Sequence, residues 1–283
     1  MRSAFCDIGF HFGTDGTNIE QLQRAQHHQA VFGLKVYFNE TTGELMIDDL
    51  AALEGAFASW TVDKPILVHA EQLSVATALG LAQAHRRRLH VCHIAGAAEV
   101  GIVRAAKAAG LHVTCGVCPH HLYLTDADVS RLGSLAQMKP PLGSAADCDA
   151  LWEGLADGTI DLIETDHAPH LLEEKAHEPA PFGVPGLETA LPLLMLALHD
   201  GRLSLDDVVR LMHDTPRRVF SIPEQPDTYI ELDPHEPHVI GTSGYETKAG
   251  WSPFDGVQAY GAVQSVVIRG KRILSYGRLT AQE

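Results

Sequence analysis

Short β-branched or apolar runs alternate along the chain with Ala/Leu-rich stretches that have helical spacing. The runs fall at Cys6–Gly13, Gly33–Phe38, Pro65–Ala70, Leu89–Ala95, His112–Val117 and Thr159–Thr165. The helical stretches fall at Glu44–Ser59, Gln72–Arg88, Gly96–Gly110 and Ala145–Asp157. Strand, helix, strand at these spacings predicts βαβ units and a parallel sheet. Runs such as Ile66-Leu67-Val68 are apolar on both parities, as strands covered on both faces require. Past Thr165 the texture changes. A Pro/Gly-rich loop, Pro179–Gly186, leads into predicted helices at Leu187–His199 and Leu203–His213. From Gln225 the chain is polar and Pro/His-rich. It ends in two strand-like runs, Ala262–Arg269 and Arg272–Leu279, with a hairpin turn expected at Gly270-Lys271. This divides the chain into a partial α/β barrel over 1–224 and an extension with a small β appendage over 225–283.

Composition narrows the function classes. A length of 283 residues suffices for one large core. The net charge of -15 argues against nucleic acid or an anionic membrane as partner. No apolar stretch nears a membrane span, and Met1–Phe5 has no signal-peptide apolar region. The five cysteines are scattered and odd in number, so reduced thiols in a cytoplasmic protein are expected. Cys115 and Cys118 form a lone C-x-x-C in a strand-like run, where residues three apart face opposite sides; a redox or zinc role for the pair is not expected.

The 17 histidines matter more than the charge, because several end apolar runs. Lys35 lies within Gly33–Tyr37, His69 ends Pro65–His69, His93 lies in Leu89–Ala95, and Asp166 closes Ile160–Asp166. Polar groups at the C-terminal ends of successive parallel strands converge on one face of an α/β barrel, where such barrels do their chemistry. A lone strand-end histidine is more often hydrogen-bonded structure than a ligand. Four such residues in four separate strands form a coherent set. Carboxylation by CO2 would turn Lys35 into an anionic carbamate able to bridge two cations. Imidazole and carboxylate are apt zinc ligands, and an aspartate beside the metal can shuttle a proton.

In this order the four residues resemble the amidohydrolase superfamily, and the finer text resembles the dihydroorotases, particularly those within multifunctional pyrimidine-synthesis proteins. The resembling segments are Gly33–Thr41, His69-Ala70-Glu71, Cys92–Ala95, Pro119–Leu122, Lys139–Leu142, Thr165–His170, Pro185–Thr189, Pro216–Phe220 and Trp251–Phe254. The resemblance implies a TIM-type (β/α)8 metal-hydrolase barrel that hydrolyses dihydroorotate reversibly to N-carbamoyl-aspartate. It implies that carboxylated Lys35 bridges two zinc ions, that His69 and His93 bind the second, and that Asp166 binds the first and acts as general acid and base. His170 and the backbone around Phe182-Gly183 would hold the substrate's carboxylate and ring, and Thr41 would sit on a loop closing over the ring. Cys92 and His121 match positions of an extra metal site in some relatives. Gly116 replaces the acidic residue of that site, so both are read as structural. Glu71 is read as support for a ligand or a helix start. Allantoinase or hydantoinase activity and a non-catalytic scaffold are the alternatives.

The chain departs from the family at its start. Members open with a strand ending in H-x-H-x-R and a second strand carrying a substrate-binding asparagine, and neither is present. His11, within Gly9–Gly13, has no H-x-H partner and matches the third strand, so it is read as structural. By this reading the barrel lacks about its first two β/α units. With them go two ligands of the first zinc, the arginine for the substrate carboxylate and the barrel's closure. A start internal to a longer reading frame and a degenerate homologue both remain open. About one zinc is expected instead of two, with weak or no activity. A homo-oligomer or another partner is expected to cover the open edges.

Overall fold

The computed structural model describes residues 4–280; both ends of the expected division, 1–3 and 281–283, and part of the Met1–Phe5 start lie outside them. Six parallel strands form one sheet in chain order: β1 (Phe10–Gly13), β2 (Val31–Tyr37), β3 (Ile66–His69), β4 (Leu89–Val91), β5 (Val113–Val117) and β6 (Leu162–Ile163). Each predicted run overlaps one of them, β2 starting two residues before the expected Gly33. Among the described residues β1 and β6 are not paired with each other, so the sheet is an open arc. Helices α1 (Ile19–Ala25), α2 (Leu50–Ser59), α3 (Leu73–His85) and α4 (Ala97–Ala108) connect successive strands. Further helices lie at Ala145–Ala156 and Leu187–His199.

Burial explains the apolar runs. Leu34, Val36, Ile66, Val68, Val91, Cys115 and Val117 join helix residues Leu53, Phe57, Val75, Val100 and Leu151 in one core. Helix α2 starts later than expected because the Asp49 carboxylate accepts hydrogen bonds from the Ala51 and Ala52 N–H groups, at 3.4 and 3.0 Å. Residues 44–49 form no helix; Met46 instead bridges to Tyr37. The predicted helix Leu203–His213 is a longer segment, α-helical at Leu205–Val209 and Thr215–Phe220 with a π turn at Arg210–Asp214. Pro216, which cannot donate a main-chain hydrogen bond, sits at the start of the last piece.

The C-terminal residues form a four-stranded antiparallel sheet where two strands were expected. Its strands are β7 (Tyr229–Val239), β8 (Gln258–Ile268), β9 (Lys271–Ser275) and β10 (Arg278–Leu279), ordered β10-β9-β8-β7. The hairpin turn is one residue earlier than expected, at Arg269-Gly270, both at positive φ (51° and 74°). A second such turn, Tyr276-Gly277, splits the last predicted run into β9 and β10. Leu193 shares a core with Ile240, Trp251, Phe254 and Ala259, joining the helix Leu187–His199 to the appendage.

Candidate active site

Lys35, His69, His93, Asp166, His170, Phe182, Gly183 and Thr41 all line one cavity of about 290 Å³ at the C-terminal ends of the strands. Register places them there. Tyr37 on β2 pairs with His69, the last residue of β3, and Lys35 with Leu67. His93 follows β4 and Asp166 follows β6, each at positive φ (37° and 39°), a conformation rarely adopted by residues with side chains.

His69 and His93 are buried and face one another, with His69 Nδ1 3.2 Å from His93 Nε2. His69 Nε2 lies 3.3 Å from a Glu71 carboxylate oxygen, so Glu71 supports a candidate ligand. Burial, reinforced by Lys35, His69 and His121, lowers the His93 pKa well below the ordinary histidine value, leaving a neutral imidazole at physiological pH. Burial opposes the charge on Lys35, but Cys92, Tyr37 and Glu164 outweigh it and raise the pKa above the usual lysine value. Its Nζ stands 5.0 Å from the centre of the Tyr37 ring. Desolvation by the cavity walls raises the Asp166 pKa, against the pull of Lys35 and His69. A carboxylate held this way is a better proton acceptor than a free one.

Beneath this set lies a group that sequence reasoning missed. One oxygen of Glu164 is paired with His90 Nε2, and the other accepts the His93 N–H at 3.0 Å. His90 Nδ1 meets Thr114 Oγ1 at 2.8 Å. Burial disfavours the Glu164 charge, but His90, Lys35 and the His93 N–H win and the pKa is lowered. Both residues stood in the apolar runs, where an embedded glutamate and a second histidine were the available signal.

The opposite wall is the loop after β6. The Phe182 carbonyl accepts hydrogen bonds from Thr42 Oγ1 at 2.9 Å and His170 Nε2 at 3.1 Å. Gly183 donates its N–H to Gln137 O at 2.9 Å. Its φ is 128°, and an added Cβ would meet the Ala168 carbonyl oxygen at 2.7 Å, so no other residue fits. Lys175, also unforeseen, is fully buried and donates to the carbonyls of Gln137, Pro181 and Gly183 at 2.9, 2.8 and 3.1 Å. Tyr37, Gly43, Leu45, Lys139 and Ala168 complete the lining.

The donor set suits zinc in part. His69 Nδ1 and His93 Nε2, 3.2 Å apart, are the two nitrogens that one ion would meet, a donor pair apt for zinc. As an ammonium Lys35 cannot ligate; as a carbamate it can. Three ligands for one ion are then at hand: Lys35, His69 and His93. A second ion would have only the carbamate and Asp166. Among the described residues two other ligand-type groups are buried or partly buried, Cys118/His120/His121 and His90/Cys92/Glu164. Glu164 in the latter already has hydrogen-bond partners on both oxygens. His11 is not among the cavity residues; its ring packs 5.4 Å from that of Phe220. All five cysteines are free thiols, and Cys115 Sγ donates to Thr159 O at 3.3 Å. Among the described residues no helix is long and apolar enough to cross a membrane.

No protein-family model matches the chain. It is 42% identical over 269 residues to the multifunctional protein CAD of Squalus acanthias, covering 95% of this chain and 12% of that protein. It is 36% identical over 287 residues to the dihydroorotase of Bacillus licheniformis, covering 98% and 65%. Among solved structures, the inactive dihydroorotase-like domain of the Chaetomium thermophilum CAD-like multifunctional protein matches with a TM-score of 0.82 at 29% identity, over 99% of this chain and 77% of that one. The L-hydantoinase from Arthrobacter aurescens matches with a TM-score of 0.90 at 25% identity, over 98% and 72%. The chain spans 65% of the length of this dihydroorotase and 12% of the multifunctional protein.

Proposed function

Since the chain is a dihydroorotase homologue with the fold of the cyclic amidohydrolases, we propose that its cavity opens a cyclic amide by hydrolysis, with dihydroorotate as substrate and N-carbamoyl-aspartate as product. The observation that carries this reading is the convergence of Lys35, His69, His93, Asp166 and His170 on one cavity. Carboxylated Lys35, His69, His93 and Asp166 would hold zinc, which when bound polarises an amide carbonyl and lowers the pKa of water. Asp166, lining the same cavity, takes a proton from the attacking water and delivers it to the leaving ring nitrogen. Glu71 orients His69, and Glu164 holds the main chain of His93. His170 stands on the Phe182 wall, where a substrate carboxylate can reach its imidazole.

As the chain stands its ligands suit one ion, so turnover is slow. The test is prolonged incubation at high protein concentration, with zinc and bicarbonate, on dihydroorotate, allantoin and hydantoin. Fastest opening of dihydroorotate supports the reading. Preference for allantoin or hydantoin overturns the substrate and keeps the reaction class. No opening of any ring favours a second reading, a non-catalytic scaffold, which the likeness to a domain described as inactive supports. Either reading is compatible with a partner or a second copy of the chain, in the cytoplasm.

A further inference from the structure

We infer that a cleft at the N-terminal ends of the parallel strands binds a nucleoside polyphosphate. Leu89 and Val113, the first residues of β4 and β5, line it. It therefore stands at the far end of the strands from the cavity of Lys35 and Asp166, and the inference is independent of the proposed hydrolysis.

Two adjoining hollows of about 330 and 280 Å³ share Arg88, Leu89, Leu111, His112 and Val113. Together they reach the size of small-molecule sites. Arg86 and Arg87 line the first hollow and Arg218 the second, so four guanidinium groups and the His112 ring meet at one cleft. Among the described residues no aspartate or glutamate lines it. These cations come from the α3–β4 turn, the α4–β5 turn and the helix Thr215–Phe220, so the cleft is more than a local run of charge. It is also set in a chain of net charge -15, which repels anions everywhere else.

Two of the arginines are already held in place. Arg87 donates to the Phe57 and Ala58 carbonyls at 3.0 and 3.1 Å, and Arg88 donates to the Val219 carbonyl at 2.6 Å. Each keeps unbonded N–H groups, so little ordering is needed when an anion arrives. Arg86, Arg218 and His112 are exposed, and among the described residues their side chains have no hydrogen-bond or ion-pair partner. Asp63, 3.5 Å from Arg88, is the one carboxylate within 4.0 Å of these arginines among the described residues. A pair this exposed is worth little and yields to a phosphate. Guanidinium forks take phosphate oxygens two at a time, and four of them suit a chain of phosphates better than a single one. The floor is apolar, with Leu79, Ala82, Leu89 and Val113 buried along it, a surface for a flat base. A nucleic acid, whose phosphates run on beyond the cleft, would meet the net negative charge of the chain.

The test is titration calorimetry of the 283-residue chain, with magnesium in excess, against ATP, GTP, CTP, UTP, tripolyphosphate, adenosine and a short DNA oligonucleotide. At least one of the nucleoside triphosphates is expected to bind, several-fold more tightly than tripolyphosphate and far more tightly than adenosine. Added salt should weaken it. Arg218→Ala and Arg86→Asn should each weaken that binding by roughly three- to tenfold, the range of a hydrogen bond to a charged group. Asparagine is chosen because it tolerates the left-handed backbone of Arg86, at φ 54°. Neither side chain is buried or bonded, so the melting temperature and zinc content should not change, which serves as the folding control. Absence of nucleotide binding overturns the proposal, as does tripolyphosphate binding as tightly as the best nucleotide. Undiminished binding in the double variant overturns it by placing the nucleotide elsewhere, and tighter binding of the oligonucleotide overturns it in favour of a nucleic acid.

Discussion

Glu164 lies over the Cα of Gly116: a methyl group placed on that glycine would come within 2.6 Å of Glu164 Cγ. The two residues stand on or beside the paired strands β5 and β6. The same carboxylate holds the His93 N–H. Gly116→Ala is therefore expected to push Glu164 aside and to destabilise the protein by about 1–3 kcal/mol, the usual range for overpacking. Denaturant unfolding measures it. Glu164→Ala added to Gly116→Ala should recover much of the steric loss; strictly additive effects would show that the two side chains do not compete for space.

Lys35→Ala is expected to abolish tight zinc binding, with partial rescue by a short carboxylic acid, because the carbamate and not the amine is the proposed ligand. Only a free amine reacts with CO2, and the environment of Lys35 raises its pKa. The carboxylated fraction should therefore rise with pH and on adding zinc with bicarbonate. Intact-protein mass spectrometry reads this as the mass of one CO2. Full zinc occupancy on unmodified Lys35 would rule the carbamate out.

Metal analysis of the 283-residue chain should find about one zinc ion, following the count of three clustered ligands. Ring hydrolysis should then be far below an ordinary enzymatic rate. Two tightly bound ions together with fast turnover would mean that a residue outside the proposed set completes the second site.

Lys175→Met removes the donor from three carbonyls, each costing about 1–3 kcal/mol if left buried and unpaired. The variant should be strongly destabilised and its 179–183 loop loosened, which limited proteolysis would detect. Burial lowers the Lys175 pKa from 10.5 to about 8. Between those values the unfolded chain keeps the proton that the folded protein releases. The stability of wild type relative to Lys175→Met should thus rise with pH from about 8 upward and stay flat below it. A flat difference across that window would mean that the carbonyls hold Lys175 charged throughout.

The parallel strands were legible because burial on both faces writes a continuous apolar run, as in Ile66–Val68. Lys35, His69, His93 and Asp166 were legible because they interrupt or end such runs. Strand β7 was not. Its sequence, Tyr229–Val239, carries Pro234 and Pro237, and it forms the edge of its sheet with irregular register between Asp233 and Pro237. Edge strands tolerate proline and polar faces, so the usual alternation is absent. Lys175 sits in Leu172–Lys175, which reads as an exposed helical turn. Only the folded loops bring three carbonyls to its amine. Glu164 and His90 were visible as polar residues, but their partnership joins strands 74 residues apart.

Gly183 has its N–H committed to Gln137 and its carbonyl to Lys175, while the neighbouring Phe182 carbonyl serves Thr42 and His170. A ring arriving at this wall can use the Gly183 N–H or the Phe182 carbonyl only by exchange for a hydrogen bond already made. Exchange yields little net affinity. The wall therefore acts as a mould: it discriminates by the outline of the ring, and substitutions that alter its contour should change which rings fit more than how tightly a fitting ring is held.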